Sequence, residues 1–132
     1  MLANARRFIE ATPYSEIEFC EDSMREEFLA MMEAGMCIVA EIDGHHLGGV
    51  GAVKSPLFFN KKTQVAGERF WWVEPGERAA GVGKALFAAL HSAAKKNGCE
   101  YLMMLSLADP KTDQLYLKLG FKEVEHCFWS KL

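Results

Sequence analysis

No apolar run in this chain approaches the ~20 residues of a membrane span, and no apolar signal core follows Met1 to Arg7. Neither a membrane nor a secretory route is expected, so the expected location is cytoplasmic. Cysteine is sparse: Cys20, Cys37, Cys99 and Cys127 lie far apart and form no C-x-x-C pair. That is the pattern of four reduced, mostly buried thiols rather than a disulfide frame. A basic excess is missing as well. Fifteen Lys and Arg stand against 18 Asp and Glu, a net charge of -3, which argues against a nucleic-acid partner. The histidines lack ligand spacing. His45 and His46 are adjacent and point to opposite sides of an extended chain, while His91 and His126 are isolated, so no metal is expected. With only 11 glycines and 4 prolines in 132 residues, disorder and collagen-like repeats are excluded. What remains is a single globular domain over residues 1–132, long enough to bury about two-thirds of its unfolded surface.

Charge is unevenly distributed. Residues 1–53 hold ten acids and three bases, and residues 54–132 hold eight acids and twelve bases. One explanation is a solvated acidic helix near the start. The other is a molecule with a cation-friendly half and an anion-friendly half.

Residues 15–34 alternate apolar and acidic at helical spacing, with Phe28, Met31 and Met32 on one face and Gly35 as the stop. Met36 to Ile42 is a β-rich run, followed by the hairpin signal Asp43-Gly44 and a second run from Leu47 to Val53. Residues 54–65, with Pro56, Asn60 and paired lysines, read as a loop in which Phe58 and Phe59 pack inward or line a cleft. Arg69 to Val73 is dense in strand formers. From Val82 to Lys96 an apolar helical stripe runs through Leu86, Phe87, Leu90, Ala93 and Ala94, and Asn97-Gly98 ends it. Tyr101 to Leu107 is a near-continuous apolar strand, as when both faces are covered. Asp109-Pro110 starts a helix to about Leu119, and Phe121 to Leu132 makes a last strand.

Strand, helix, strand across residues 69–107 is a right-handed crossover with parallel strands. It sets the loop Glu74–Gly81 at the start of the long helix, where unpaired amides and the helix dipole favour an anion. Two phosphate-binding patterns fail in that loop. A P-loop needs Lys after its second glycine, and Val82 follows Gly81; a dinucleotide fingerprint started by Gly81 and Gly83 is broken at Leu86. This also disposes of a nucleotide hydrolase. The pattern that fits is R-x-x-G-x-G, as Arg78-Ala79-Ala80-Gly81-Val82-Gly83.

With that motif between a strand ending in Val73-Glu74-Pro75 and a long amphipathic helix, the sequence resembles the GNAT superfamily of acyl-CoA-dependent N-acetyltransferases. Leu115-Tyr116-Leu117-Lys118-Leu119-Gly120-Phe121 resembles the family's Y-x-K-L-G-F segment, and Val39 to Gly44 with Leu47-Gly48-Gly49 resembles its second and third strands. The small size and the ending after Gly120-Phe121 are similar to GNAT-like proteins of tailed phages. The resemblance implies an α+β fold, a mixed central sheet flanked by helices with a parallel strand-helix-strand unit for the coenzyme. It implies acetyl-CoA as co-substrate, held by Val73, Arg78, Ala79, Ala80, Gly81, Val82, Gly83 and Lys84. It also implies a small-molecule or peptide amine acceptor.

For acetyl transfer by direct attack, the resemblance makes Tyr116 the acid for the departing thiolate and a backbone amide near Val73 the donor to the thioester carbonyl. Glu68 and Glu74 are the candidates for the base, with a water chain to solvent as the alternative. Glu68 stands one residue out of the family's register, which would turn its side chain away. The family's first strand has only Arg6-Arg7-Phe8-Ile9 to represent it. Arg78 has a second use, pairing with Glu74 or Glu77. Trp71 and Trp72 point to opposite faces, one for the core and one for the acceptor cleft or the surface of a homodimer. The acids Glu16, Glu18, Glu21, Asp22, Glu26 and Glu27 either form a solvated helix far from the cleft or line the acceptor entrance, where family members usually have their early helices. The competing function is a non-catalytic GNAT-fold protein that binds coenzyme or serves as a virion or interaction component.

Overall fold

The computed structural model describes the whole backbone and every side chain except those of Arg78, Ala79 and Ala80. Among the described residues the elements run α1 (Leu2–Glu10), α2 (Glu21–Glu33), β1 (Cys37–Ile42), β2 (His45–Leu57) and β3 (Asn60–Val73). A 3-10 turn (Pro75–Ala80) then leads into α3 (Val82–Lys96), β4 (Tyr101–Met103) and α4 (Pro110–Lys118). The strands form one sheet in the order β1-β2-β3-β4, antiparallel except for the parallel β3–β4 pair. This is the mixed α+β architecture with its strand-helix-strand unit.

Local chemistry explains the frame. Asp43 and Gly44 both take positive φ, 50° and 78°, which is the geometry of a tight hairpin turn between β1 and β2. Helix α3 buries Leu86, Leu90 and Ala94, spaced four apart, against Val50, Ala52 and Ala66 of the sheet. The opposite face of the sheet carries a second core, where Phe28 and Met31 of α2 and Ala5 of α1 meet Phe70. Phe28 and Phe70 pack edge to face at 5.3 Å. Trp71 joins the first core and Trp72 the second, as strand alternation requires.

Several elements differ from the sequence-based expectation. Arg6-Arg7-Phe8-Ile9 is not a strand: Leu2, Ala5 and Phe8 recur at helical spacing and anchor α1 on the second core. Helix α2 starts only at Glu21, and Met32 is turned outward at 47 % exposure. Residues 54–65 are not a loop but the end of a two-stranded arm. Strand β1 pairs no farther than Gly51, so beyond it β2 has a free edge on which Pro56 costs no ladder bond. At the tip Phe58 and Phe59 are 85 % and 72 % exposed, and they neither pack inward nor line a cleft. Strand β4 stops at Met103, leaving Tyr101, Met103, Leu105 and Leu107 exposed. So short an edge offers no ladder to the residues after Phe121, which form no strand; Trp129 instead lies edge-on to Tyr14 at 4.9 Å. The cysteines are all free, but Cys20 and Cys127 are exposed rather than buried.

One close approach fixes the β2–β3 spacing. A Cβ on Gly48 would stand 2.8 Å from the backbone oxygen of Trp72 and 3.0 Å from Leu86 Cδ1. Gly48→Ala is therefore expected to destabilise the protein by about 1–3 kcal/mol, measured as a lower urea midpoint with an unchanged slope.

Candidate active site

The parallel strands part early. Only Val65, Ala66 and Gly67 of β3 pair with β4, opposite Tyr101, Leu102 and Met103. Just beyond, a side chain takes over from the ladder: Glu68 accepts the Leu105 N–H at 2.8 Å through Oε2. A wedge opens between β3 and the segment after β4.

A bulge aims Glu68 into this wedge. Gly51 pairs with Phe70 and Ala52 with Glu68, so Arg69 is an extra residue with no partner across the strand. Arg69 is drawn to the α2 face, where its Nε contacts Glu27 at 3.0 Å. The extra residue restores Glu68 to the side of Ala66 and Trp71, which corrects the expectation that its side chain turns away. Glu68 is 5 % exposed. Burial pushes its carboxyl up to about 7, against the opposing effect of the Leu105 hydrogen bond.

Tyr116 reaches the same residue from α4. Asp109 caps that helix, accepting from the Lys111 and Thr112 amides, and Pro110 occupies its first turn. This orientation buries Tyr116, stacks its ring on Trp71 at 5.8 Å, and directs its hydroxyl to donate to the Leu105 carbonyl at 2.9 Å. Burial, then the charges of Glu68 and Asp113, raise the phenol above its usual range, so it stays protonated at neutral pH.

The third component is the start of α3. Gly81 has φ +79°, a left-handed conformation that favours glycine, and nothing among the described residues lies within 4 Å of where its Cβ would stand. Among the described residues no side chain caps this helix and no acid occupies its first turn, so its first amides keep their partial positive charge. A Cβ on Gly83 would lie 3.5 Å from Val73 Cγ2 and 3.6 Å from Trp71, which brings the helix start onto the end of β3. Trp71 thus lies beside the α3 start and stacks on Tyr116. Its Nε1–H is buried and has no acceptor among the described residues. Lys84 is exposed, and Val82 is half-buried against the first core.

Other expected residues stand apart or undescribed. Glu74 pairs with Arg7 of α1 at 3.2 Å and is not joined to Glu68 or Tyr116. The contacts expected of Arg78, Ala79 and Ala80 lie outside the described residues. Of the acids expected at the acceptor entrance, Glu21 is paired with Arg6 and Arg25, and Glu27 with Arg69. No cluster suited to a metal occurs among the described residues, and no helix among them is long and apolar enough to cross a membrane. Sequence reasoning missed Leu105, which acts through its backbone, and Arg7. The bulge had one signal, the adjacent charges Glu68-Arg69 in the otherwise apolar stretch Val65 to Val73.

The model of the acetyltransferase (GNAT) family matches residues 4–121. The chain belongs to the GNAT acetyltransferase family. Its fold is that of solved GNAT structures. An acetyltransferase of Trypanosoma brucei is 22% identical with a TM-score of 0.70, covering 99% of this chain and 92% of that one. The aminoglycoside N-acetyltransferase AAC(6')-Iy, solved with a CoA bisubstrate analogue, is 21% identical with a TM-score of 0.71, over 99% and 90% of the two chains. An aminoglycoside 6'-N-acetyltransferase of Acinetobacter haemolyticus is 18% identical with a TM-score of 0.65, over 88% and 83%. No curated protein matches the sequence.

The buried carboxyl of this GNAT protein has a measurable consequence. The folded state binds the Glu68 proton more tightly than the unfolded chain, so this group favours folding below about pH 4.5 and loses that contribution as pH rises through about 7. The full difference is on the order of 3 kcal/mol. Differential scanning calorimetry between pH 5 and 8 should show Glu68→Gln gaining stability relative to the parent as pH rises.

Proposed function

We propose that this chain is an N-acetyltransferase that moves the acetyl group of acetyl-CoA to a primary amine by direct attack. One observation carries the reading: Trp71 joins an uncapped α3 start to a buried phenol, Tyr116, at the wedge between β3 and β4. The residues present fit the coenzyme. Open space at the Gly81 Cβ position, an acid-free first turn and the unsatisfied Trp71 Nε1–H all favour a polar anionic ligand.

Acetyl-CoA supplies the activated thioester. Amides of Gly81, Val82, Gly83 and Lys84 hold its pyrophosphate, with Arg78, Ala79 and Ala80 completing the loop. A β3 amide near Val73, on the strand edge that β4 leaves beyond Gly67, donates to the carbonyl oxygen. The amine nitrogen bonds to the carbonyl carbon as the C–S bond breaks. Tyr116 gives its proton to the sulfur and is reprotonated from solvent, which also takes the proton lost by the amine. A solvent route is favoured because Glu74 is paired with Arg7 and Glu68 is buried on the Leu105 amide. The acceptor is a small molecule or peptide bearing an amine; the small-molecule reading is supported by the aminoglycosides named for acetyltransferases of similar fold.

Two variants test this. Gly83→Asp has room for its Cβ, so it should remain folded, yet its carboxylate would face the pyrophosphate and abolish coenzyme binding by calorimetry. Undiminished affinity in the folded variant would refute the site. Tyr116→Phe should lower kcat by about tenfold or more with unchanged coenzyme affinity, read by thioester cleavage against an amine library. Coenzyme binding without turnover of any amine would instead favour the non-catalytic coenzyme-binding alternative.

A further inference from the structure

Glu68 lies beside the proposed acid, but its bonding is that of a support. Both backbone polar groups of Leu105 are held by side chains from different elements: Glu68 Oε2 takes the N–H at 2.8 Å, and the Tyr116 hydroxyl donates to the C=O at 2.9 Å. Beyond Met103 no ladder bond fixes this segment to β3. Packing does not fix it either, because the Leu105 side chain is 51 % exposed. The position of Leu105, and of the carbonyl that orients the Tyr116 hydroxyl, therefore depends on Glu68. The carboxylate is itself set by the bulge at Arg69, which the Glu27 ion pair holds from the opposite face.

We propose that Glu68 is a positioning residue and not the base: it fixes the Leu105 backbone and, through the Leu105 carbonyl, the hydroxyl of Tyr116. The proposal rests on the acid role given to Tyr116 above. A base must pass its proton onward, and a buried carboxylate bonded to a backbone amide is poorly connected to solvent. A hydrogen bond from an amide to a carboxylate is also stronger than one to a neutral acceptor. Ionised Glu68 thus holds Leu105 more firmly than protonated Glu68 does. The titratable group facing it comes from α4, namely Tyr116, on whose phenol the charges of Glu68 and Asp113 both act. Toward this side α3 contributes the apolar Leu86 and Leu90, while Arg69 and Glu27 lie across the sheet.

Glutamine separates the two roles, since it still accepts from the Leu105 amide but takes up no proton at neutral pH. Steady-state kinetics of Glu68→Gln and Glu68→Ala should be paired with amide and aromatic NMR of each folded variant. For the Gln variant we expect kcat to stay within about tenfold of the parent, below the 10²–10⁴-fold usually lost with a general base. Its kcat should lack the acidic limb near pH 7 expected of the parent, and KM for coenzyme should not change. For the Ala variant we expect a larger loss of kcat and displaced Tyr116 ring resonances, which the Gln variant should restore. The Leu105 amide resonance of the parent should titrate near pH 7 and be still in the Gln variant. A loss in Gln as deep as in Ala, at 10²-fold or more, would make Glu68 the base and overturn the proposal. So would a parent Leu105 amide indifferent to pH, or Tyr116 resonances unmoved in the Ala variant. If the parent acetylates no amine, the proposed function fails by itself, and the resonances still decide whether Glu68 sets Tyr116.

Discussion

Where β3 and β4 part, the amide of Leu105 passes from the reach of a strand carbonyl to that of a buried carboxylate, and the site is organised around that substitution. A parallel pair that stayed zipped would close the wedge. A pair that parted with nothing in the gap would leave backbone groups unsatisfied next to the core. Glu68 takes the N–H and Tyr116 the C=O, so the strands separate without orphaned groups on Leu105. The cost is a carboxyl held in apolar surroundings, which appears as its raised affinity for a proton.

That arrangement depends on the two faces of the sheet staying distinct. The α1–α2 face carries Phe28, Met31, Phe70 and Trp72, together with the ion pairs Arg7–Glu74 and Arg69–Glu27. The α3–α4 face carries Trp71, Phe87, Tyr116 and Phe121 in one aromatic cluster. One extra residue in β3 lets Arg69 serve the first face while Glu68 serves the second. The acidic excess of the N-terminal half is partly answered within the chain, because Arg6, Arg25 and Arg69 pair with Glu21 and Glu27.

Away from the wedge, the β2–β3 arm projects past β1 and carries Phe58 and Phe59 at its tip, packed only against each other among the described aromatic contacts. The residues after Phe121 are likewise exposed, apart from the contact of Trp129 with Tyr14. Both regions lie apart from the candidate site, which is built from the opposite end of β3, the segment after β4, the α3 start and α4.

Strong local signals were legible in the sequence. The four-residue spacing of Leu86, Leu90 and Ala94 gave α3, Asp43-Gly44 gave the first hairpin, Asp109-Pro110 gave α4, and the glycines with Tyr116 gave the family. Each depends on residues within one or two turns of each other, where backbone preference and side-chain spacing suffice. The length of β4, the strand character of residues 54–65 and the failure of the last strand were not legible, because pairing depends on which edge is free in the assembled sheet. The side on which Glu68 faces depended on a bulge, and a single inserted residue inverts every side chain before it. The meeting of Glu68 and Tyr116 on Leu105 joins residues 37 and 11 positions apart through a backbone whose hydrogen bonds no side chain announces. Sequence alone determined the side chains and glycines offered to the candidate site; only tertiary structure decided which backbone groups join them and which share a hydrogen bond, because that follows from strand divergence and not from local propensity.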